Sequence, residues 1–154
     1  MLASVSLAAG RLVDVTDLLE RLLPLWTEPV DGRDDPEGAF GAVYADPVVV
    51  NGTEMSLTAL VARARSLQQA FDRLGMDILD TVEAPGRVVV AFVMRGRHVG
   101  PYASPLGTVA PTGRDIAVRT IDVLTMADGL VTAIWVVSDD LGLLVQLYAA
   151  RLDD

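Results

Sequence analysis

His98, Asp122, Asp139 and Asp140 are the residues whose types and spacing could do chemistry, and they fall within one tract of the chain. The tract runs from Arg97-His98-Val99-Gly100-Pro101-Tyr102 through Pro111-Thr112-Gly113-Arg114 and Ile121-Asp122 to the turn Asp128-Gly129. It closes on Trp135-Val136-Val137-Ser138-Asp139-Asp140. An imidazole and carboxylates set among alternating apolar residues suit acid–base work on an apolar small molecule. Burial disfavours a charged carboxylate and raises its pKa, so it either pairs with a cation or holds a proton for use in a cavity.

Alternation says which of these groups point inward. After Arg87, one strand face carries Val88, Val90, Phe92, Met94, Gly96 and His98, and the other carries Val89, Ala91, Val93, Arg95 and Arg97. The arginines belong in water, so His98 is expected inside, as a catalytic group or as a hydrogen-bonded core histidine. The face Ile116, Val118, Thr120, Asp122, Leu124 and Met126 aims a carboxylate at an apolar surface. A buried pair with Arg119, Arg114 or His98 is the structural alternative to an acid. If the Asp128-Gly129 hairpin has a two-residue loop, Asp122 opposes Trp135, with Val137 and Asp139 on the same face. One further loop residue would set Asp122 opposite Val136 and turn Asp140 inward.

The elements that must position these groups follow from periodicity. Val15, Leu18, Leu19, Leu22, Leu23 and Leu25 predict a helix from about Val13 to Trp26, capped by Asp14 or Thr16 and ended or kinked by Pro24. Glu28 to Gly38 reads as a loop, Pro36 to Tyr44 as a short helix, and Pro47 to Val50 as a strand closed by Asn51-Gly52. A long helix is expected from Leu57 to Leu74, with Gly75 as its C′ residue. The period then changes to that of strands, over Met76 to Ala84, Val88 to Val99, Asp115 to Ala127 and Leu130 to Ser138. Asp128-Gly129 is a strong hairpin signal, because glycine takes the positive φ that tight hairpin turns need. Helices followed by strands imply an α+β fold with an antiparallel sheet. Leu141 to Ala150 is apolar enough to pack back on the body or on a partner.

Composition narrows the partners. A length of 154 residues is that of one domain, 1–154, able to bury a core without disulfide or metal staples. A net charge of −9 disfavours binding to nucleic-acid phosphates, and the 12 basic residues are all arginine, which reads as coding bias. The chain has no cysteine and a single histidine, which removes thiolate and two-histidine metal sites, so no metal is expected. Neither a Gly-rich phosphate loop nor a nucleophile elbow occurs. Met1 to Gly10 is apolar but lacks the basic start of a signal peptide, and no apolar run reaches the roughly 20 residues that span a bilayer. The expectation is a soluble, cytoplasmic protein with no membrane partner.

Tyr44-Ala45-Asp46-Pro47, Arg95 to Pro101, Pro111-Thr112-Gly113-Arg114, and Ile121-Asp122 through Asp128-Gly129 to Trp135 and Asp139 together resemble the SnoaL-like polyketide cyclase family. That family shares a superfamily with ketosteroid isomerase and limonene epoxide hydrolase. The resemblance covers about residues 12 to 150. It implies a cone: a curved, mostly antiparallel sheet wrapped on the N-terminal helices, with a deep apolar pocket, no cofactor and a homodimeric assembly. Residue by residue, the match departs from the family's catalytic sets. In the aldol-type cyclases a His and an Asp stand at the positions of Asp122 and Val136, so the aldol base is missing. Ile121-Asp122 matches the pair that supplies the isomerase with a protonated carboxyl. The isomerase base, however, falls near Asn51 or Gly52, and neither can take a proton from carbon. The Arg/Asp pair of the epoxide hydrolase is absent from Val88-Val89-Val90-Ala91-Phe92.

What the resemblance then implies is a polyketide-tailoring cyclase that closes a ring on an apolar linear chain. The closure would be carbocyclic and cycloaddition-like, or would form a pyran, by holding the chain in a ring-like conformation with Asp122 as acid or hydrogen-bond donor. His98 would be its partner and Asp139 a second polar group at the mouth, with Trp26, Tyr44, Asn51, Phe92, Met94 and Trp135 lining the pocket. Isomerase or epoxide-opening chemistry is the alternative, and needs a second carboxylate such as Asp46 near Asp122. A noncatalytic ligand-binding cone is the other.

Overall fold

The computed structural model describes residues 12–150, so the reading of Met1 to Gly10 lies outside the described residues. Helix α1 (Val15–Thr27) begins where the Asp14 side chain accepts the backbone N–H of Asp17 at 3.1 Å. It buries Val15, Leu18, Leu22 and Leu25, one stripe at helical spacing. Pro24 lies in its last turn, and the helix ends at Thr27, as expected of a residue with no N–H to donate. A short helix α2 (Pro36–Gly41) buries Phe40 and leads into strand β1 (Tyr44–Val50). Strand β2 (Thr53–Met55) turns back on β1 through Asn51-Gly52, both with positive φ.

Helix α3 (Leu57–Ala70) is capped by Ser56, whose side chain accepts the N–H of Ala59. It ends four residues before Leu74, which corrects the expectation that it reaches Leu74. Phe71 is already extended and opens strand β3 (Phe71–Ala84). Gly75 is therefore no helix cap. It lies inside β3, beside a register irregularity between Asp72 and Gly75 at which Arg73 takes φ 51°.

Strand β4 (Arg87–His98) follows, then a small hairpin of β5 (Tyr102–Ser104) and β6 (Gly107–Val109). Between β4 and β5 the backbone of Gly100 passes against Gln69 so closely that any Cβ would collide with the Gln69 carbonyl. Gly100 N–H donates to Ala70 O at 3.1 Å, tying this crossing to the end of α3. Strands β7 (Asp115–Ala127) and β8 (Leu130–Ser138) and helix α4 (Asp140–Gln146) complete the chain, and α4 buries Leu143 and Leu144 against the body.

The main sheet has the order β2-β1-β8-β7-β4-β3, antiparallel throughout except for the parallel pair β1 and β8. It is the α+β cone expected of the sequence: a curved sheet wrapped on α1 and α3. Its inner face carries Val88, Val90, Phe92, Ile116, Val118 and Leu124, all buried. The outer face keeps Ile121, Trp135 and Val137 about half or more exposed.

The hairpin between β7 and β8 resolves the register in a way neither alternative described. The loop has two residues, with Ala127 opposite Leu130 and Met126 opposite Val131. Thr132 is then extra, since Thr125 pairs with Ala133, and its hydroxyl donates to Thr125 O at 3.3 Å. This bulge supplies the one-residue shift that a longer loop would have given. Asp122 consequently faces Val136, and Trp135 turns outward.

Candidate active site

Between the sheet's inner face and the helices lies a cavity of about 900 Å³, the size of small-molecule sites in general. Helix α1 lines it with Leu19, Leu22, Leu23 and Trp26, and α3 adds Leu60, Arg63, Ser66 and Leu67. The sheet contributes Tyr44, Phe92, Met94, Thr120, Asp122, Leu124, Ile134 and Val136. Tyr102 of the β5–β6 hairpin and Asp140 of α4 also line it. Among these lining residues the charged groups are Arg63, Asp122 and Asp140.

Asp122 is the chemically distinctive member. Inward alternation on β7 places its carboxyl among Leu124, Ile134 and Val136, and its buried Oδ1 has no hydrogen-bond partner among the described residues. Burial pushes its pKa up to about 6, with Arg63 opposing the rise. Part of the population therefore holds a proton near neutrality. None of the cations proposed as its structural partner forms a salt bridge with it among the described residues.

Tyr44 is the second polar group. Its ring is buried and stacked on Phe40, and its hydroxyl accepts the Trp26 Nε1–H at 2.8 Å. Trp26 itself meets Phe40 edge-on, which fixes the indole. Burial holds the Tyr44 phenol above its ordinary pKa; the Trp26 hydrogen bond works against this, and the nearby Asp122 carboxylate adds to it. The phenol therefore keeps its proton. Among the described residues that proton has no acceptor, so Tyr44, like Asp122, faces the cavity with hydrogen-bonding capacity unused.

The other expected site residues divide. Trp26, Tyr44, Phe92 and Met94 line the cavity. His98 does not, which corrects its assignment as the partner of Asp122. It is fully buried beyond the cavity's end, packed on Phe71 with ring centroids 5.3 Å apart. Its Nδ1 accepts the Thr112 backbone N–H at 3.2 Å and lies 3.0 Å from the Thr112 hydroxyl, so the neutral tautomer carries its proton on Nε2. The β4 face is as expected, but the strand outruns the cavity.

Asp139 is likewise corrected. Its carboxylate accepts the Gly142 N–H at 2.9 Å as the N-cap of α4, and it is Asp140, one residue on, that lines the cavity. Asn51 is a framework residue: its side-chain oxygen accepts the Val136 N–H at 2.8 Å, continuing the ladder where β1 ends. Trp135 stands on the outer face near Gly52. Asp46, the second carboxylate that isomerase or epoxide chemistry would need, accepts the Leu57 N–H at 3.3 Å at the start of α3, outside the cavity.

Arg63 escaped the sequence reading. It is three residues from Leu60 and four from Leu67, on the edge of α3's apolar stripe, and that spacing was the available signal. Among the described residues no group of three or more His, Asp or Glu could hold a metal ion, and no helix is long and apolar enough to cross a membrane.

Solved structures that share this fold include three from Streptomyces species. TsrD from Streptomyces laurentii superposes with a TM-score of 0.74 at 24% identity, over 88% of this chain and 96% of that one. AclR from Streptomyces galilaeus, described as a candidate hydroxylase, gives 0.70 at 21% identity, over 90% and 87%. IdmH from Streptomyces antibioticus, described as a candidate polyketide cyclase, gives 0.69 at 20% identity, over 88% and 99%. No curated protein matches the sequence. The sequence profile that does match runs over residues 32–147, from the loop before α2 through the last strand and helix that carry Asp122's surroundings, and by that match the chain belongs to the SnoaL-like polyketide cyclase family.

Proposed function

We propose that this protein is a polyketide-tailoring cyclase that closes a ring on an apolar, linear polyketide-type chain, through carbocyclisation or pyran formation. The observation that carries this reading is Asp122: a half-buried residue with a buried, unpartnered carboxyl oxygen, in a largely apolar cavity of about 900 Å³. Tyr44 adds a second, oriented hydroxyl on the same cavity wall.

The chemistry follows from shape and from two protons. A flexible chain folded by the cavity walls brings its reacting ends together, and effective concentration alone can remove several kcal/mol of barrier. A carbonyl oxygen of that chain, placed between Asp122 and Tyr44, would satisfy both unused hydrogen-bonding groups. Negative charge developing on that oxygen is stabilised by donors already in position within an apolar surround. Protonated Asp122 can also pass its proton to the oxygen, leaving a carboxylate that takes one back from the product.

The test is ring closure on a linear polyketide chain followed by chromatography and mass spectrometry. Wild-type protein should accelerate it, and Asp122→Leu, which removes the proton but keeps an apolar wall, should not. Acceleration undiminished in that variant overturns the acid role, and tight binding without acceleration indicates a noncatalytic cone.

A homodimer joined through the outer sheet face is part of the same reading. Ile121 is opposite Val137 and Val123 opposite Trp135, so the exposed apolar side chains form one patch across β7 and β8. Sedimentation should show a dimer that Trp135→Glu with Val137→Glu converts to monomer.

A further inference from the structure

The proposed cavity carries a charge that ring closure as described does not use. Arg63 faces it from the second turn of α3, between Leu60 and Leu67 on the same helix face, and its side chain is solvent-exposed. It therefore stands where the cavity meets water. Among the described residues no carboxylate lies within 4 Å of its guanidinium and it makes no side-chain hydrogen bond. Two residues on, Arg65 pairs with Asp31 at 2.7 Å, and Arg21, Arg33, Arg73 and Arg95 also have carboxylate partners. Arg87, Arg97, Arg114 and Arg119 likewise lack a carboxylate partner among the described residues, but Arg63 is the one arginine that lines the cavity. A cavity-lining arginine left without one is a fork of donors turned toward whatever enters.

We propose that Arg63 docks an anionic oxygen group at one end of the substrate, so that the cavity selects an amphipathic acid with its apolar body inward and its charge at the mouth. The inference rests on the reading of this cavity as the substrate site and adds what the substrate carries. Arg63 is the sole cation among the lining residues, most of which are apolar, and Trp26 and Tyr44 line the same cavity. Its field reaches well into the site. After burial, which raises the pKa of Asp122, Arg63 is the opposing influence on that carboxyl. Tyr102 on the β5–β6 hairpin is raised first by burial and then by Asp140, with Arg63 again opposing. Asp140 thus lines the same cavity with the opposite sign. It repels an anion placed on its own side and leaves α3 as the docking wall. The anionic group has two chemical sources: the carboxylate of a free acid, or the phosphate of a pantetheine arm that tethers the chain.

Binding is best read from Trp26 fluorescence in a Trp135→Phe background, since the chain has only these two tryptophans and Trp135 stands on the outer face. Decane-1-sulfonate supplies the anion with an apolar body, decan-1-ol the same body without charge, and pantetheine 4′-phosphate the tether. Arg63→Gln should weaken decane-1-sulfonate about tenfold or more, as loss of a charge-assisted contact does, and leave decan-1-ol unchanged. Arg63→Lys should keep most of the preference, and Asp140→Asn should strengthen sulfonate binding. Arg63-dependent binding of pantetheine 4′-phosphate, with the sulfonate indifferent to Arg63, identifies the tether as the source. If neither anion depends on Arg63, or if decan-1-ol weakens by the same factor as the sulfonate, the proposal is overturned. If decan-1-ol does not reach Trp26 at all, the cavity reading itself falls and the anion dock with it.

Discussion

Asp122 stands directly across the β7–β8 ladder from Val136, a carboxyl facing a branched hydrocarbon inside the cavity. Directly opposed residues on one sheet face are near neighbours, so the valine is part of what desolvates the acid. The pairing exists because Thr132 bulges out of β8 and shifts the register by one residue. Without the bulge, Trp135 would fill that position.

Asp122→Asn should separate function from stability. The carboxyl has an ordinary pKa of 3.8 and about 6 when folded. Between those values the folded chain holds a proton that the unfolded chain has released, so stability falls as pH rises through this window. Above pH 6 the full cost is present, and it corresponds to roughly 1–3 kcal/mol at ~1.4 kcal/mol per pKa unit. Asn cannot ionise. Urea unfolding should therefore find the variant more stable than wild type by that order at pH 8 and equal to it near pH 3. Ring closure should slow by about 10²–10⁴, the range for a lost general acid, and the wild-type rate should decline as pH rises past about 6. A variant no more stable at pH 8 would show that Asp122 is not desolvated.

Val136→Asp places a second carboxyl against the first. Two opposed carboxylates in one apolar site cannot both ionise cheaply, so the pair should titrate in two steps, the upper one above the wild-type value of about 6. Carbon-13 detection of the carboxyl resonances would follow both. The added buried charge should cost on the order of 1–3 kcal/mol at neutral pH. A single Asp122 titration at its wild-type position would contradict the register.

How much of this was legible in the sequence depends on which force decided each feature. Strands β7 and β8 begin and end where alternation and the Asp128-Gly129 turn put them, because a half-buried strand and a tight turn are local signals. The end of α3 was not legible. Leu67, Phe71 and Leu74 continue a helical spacing, yet Phe71 is buried as a strand residue paired with His98. Tertiary pairing overrode the period there. The Thr132 bulge was equally invisible, since turn chemistry sets register only when no residue is inserted beyond the turn. His98 was placed on the correct face but at the wrong depth, because alternation gives a side and not how far a cavity extends along a strand. Arg63 was missed because an arginine in mid-helix ordinarily belongs to the solvated face.

His98 makes a prediction of opposite sign to that for Asp122. Burial holds its imidazole below the ordinary value of 6.5. As pH falls below 6.5 the unfolded chain takes up a proton that the folded chain resists, so this residue's contribution to stability is present above 6.5 and is lost on acidification. Asp122 titrates in an overlapping range, so the experiment belongs in an Asp122→Asn background. There, unfolding free energy should drop between pH 7.5 and 5.5, and His98→Gln should flatten that slope. An unchanged slope would mean that His98 charges as freely in the fold as outside it.

Tyr44 and Trp26 should prove to act as one unit. Tyr44→Phe removes the acceptor for the half-buried Trp26 Nε1–H. Leaving a donor unsatisfied costs about 1–3 kcal/mol. The same variant removes the hydroxyl proton available to a substrate oxygen, so ring closure should slow as well. Trp26→Phe removes the donor instead and leaves the phenol free to turn, which predicts slower closure with the hydroxyl still present. Once the indole is gone, Tyr44→Phe no longer strands a donor, so its stability cost in the Trp26→Phe background should shrink by about 0.5–3 kcal/mol, the range of couplings between contacting residues. Urea unfolding of the two single variants and the double variant measures that difference. Strict additivity would show that the indole–phenol hydrogen bond does not hold Tyr44 in place.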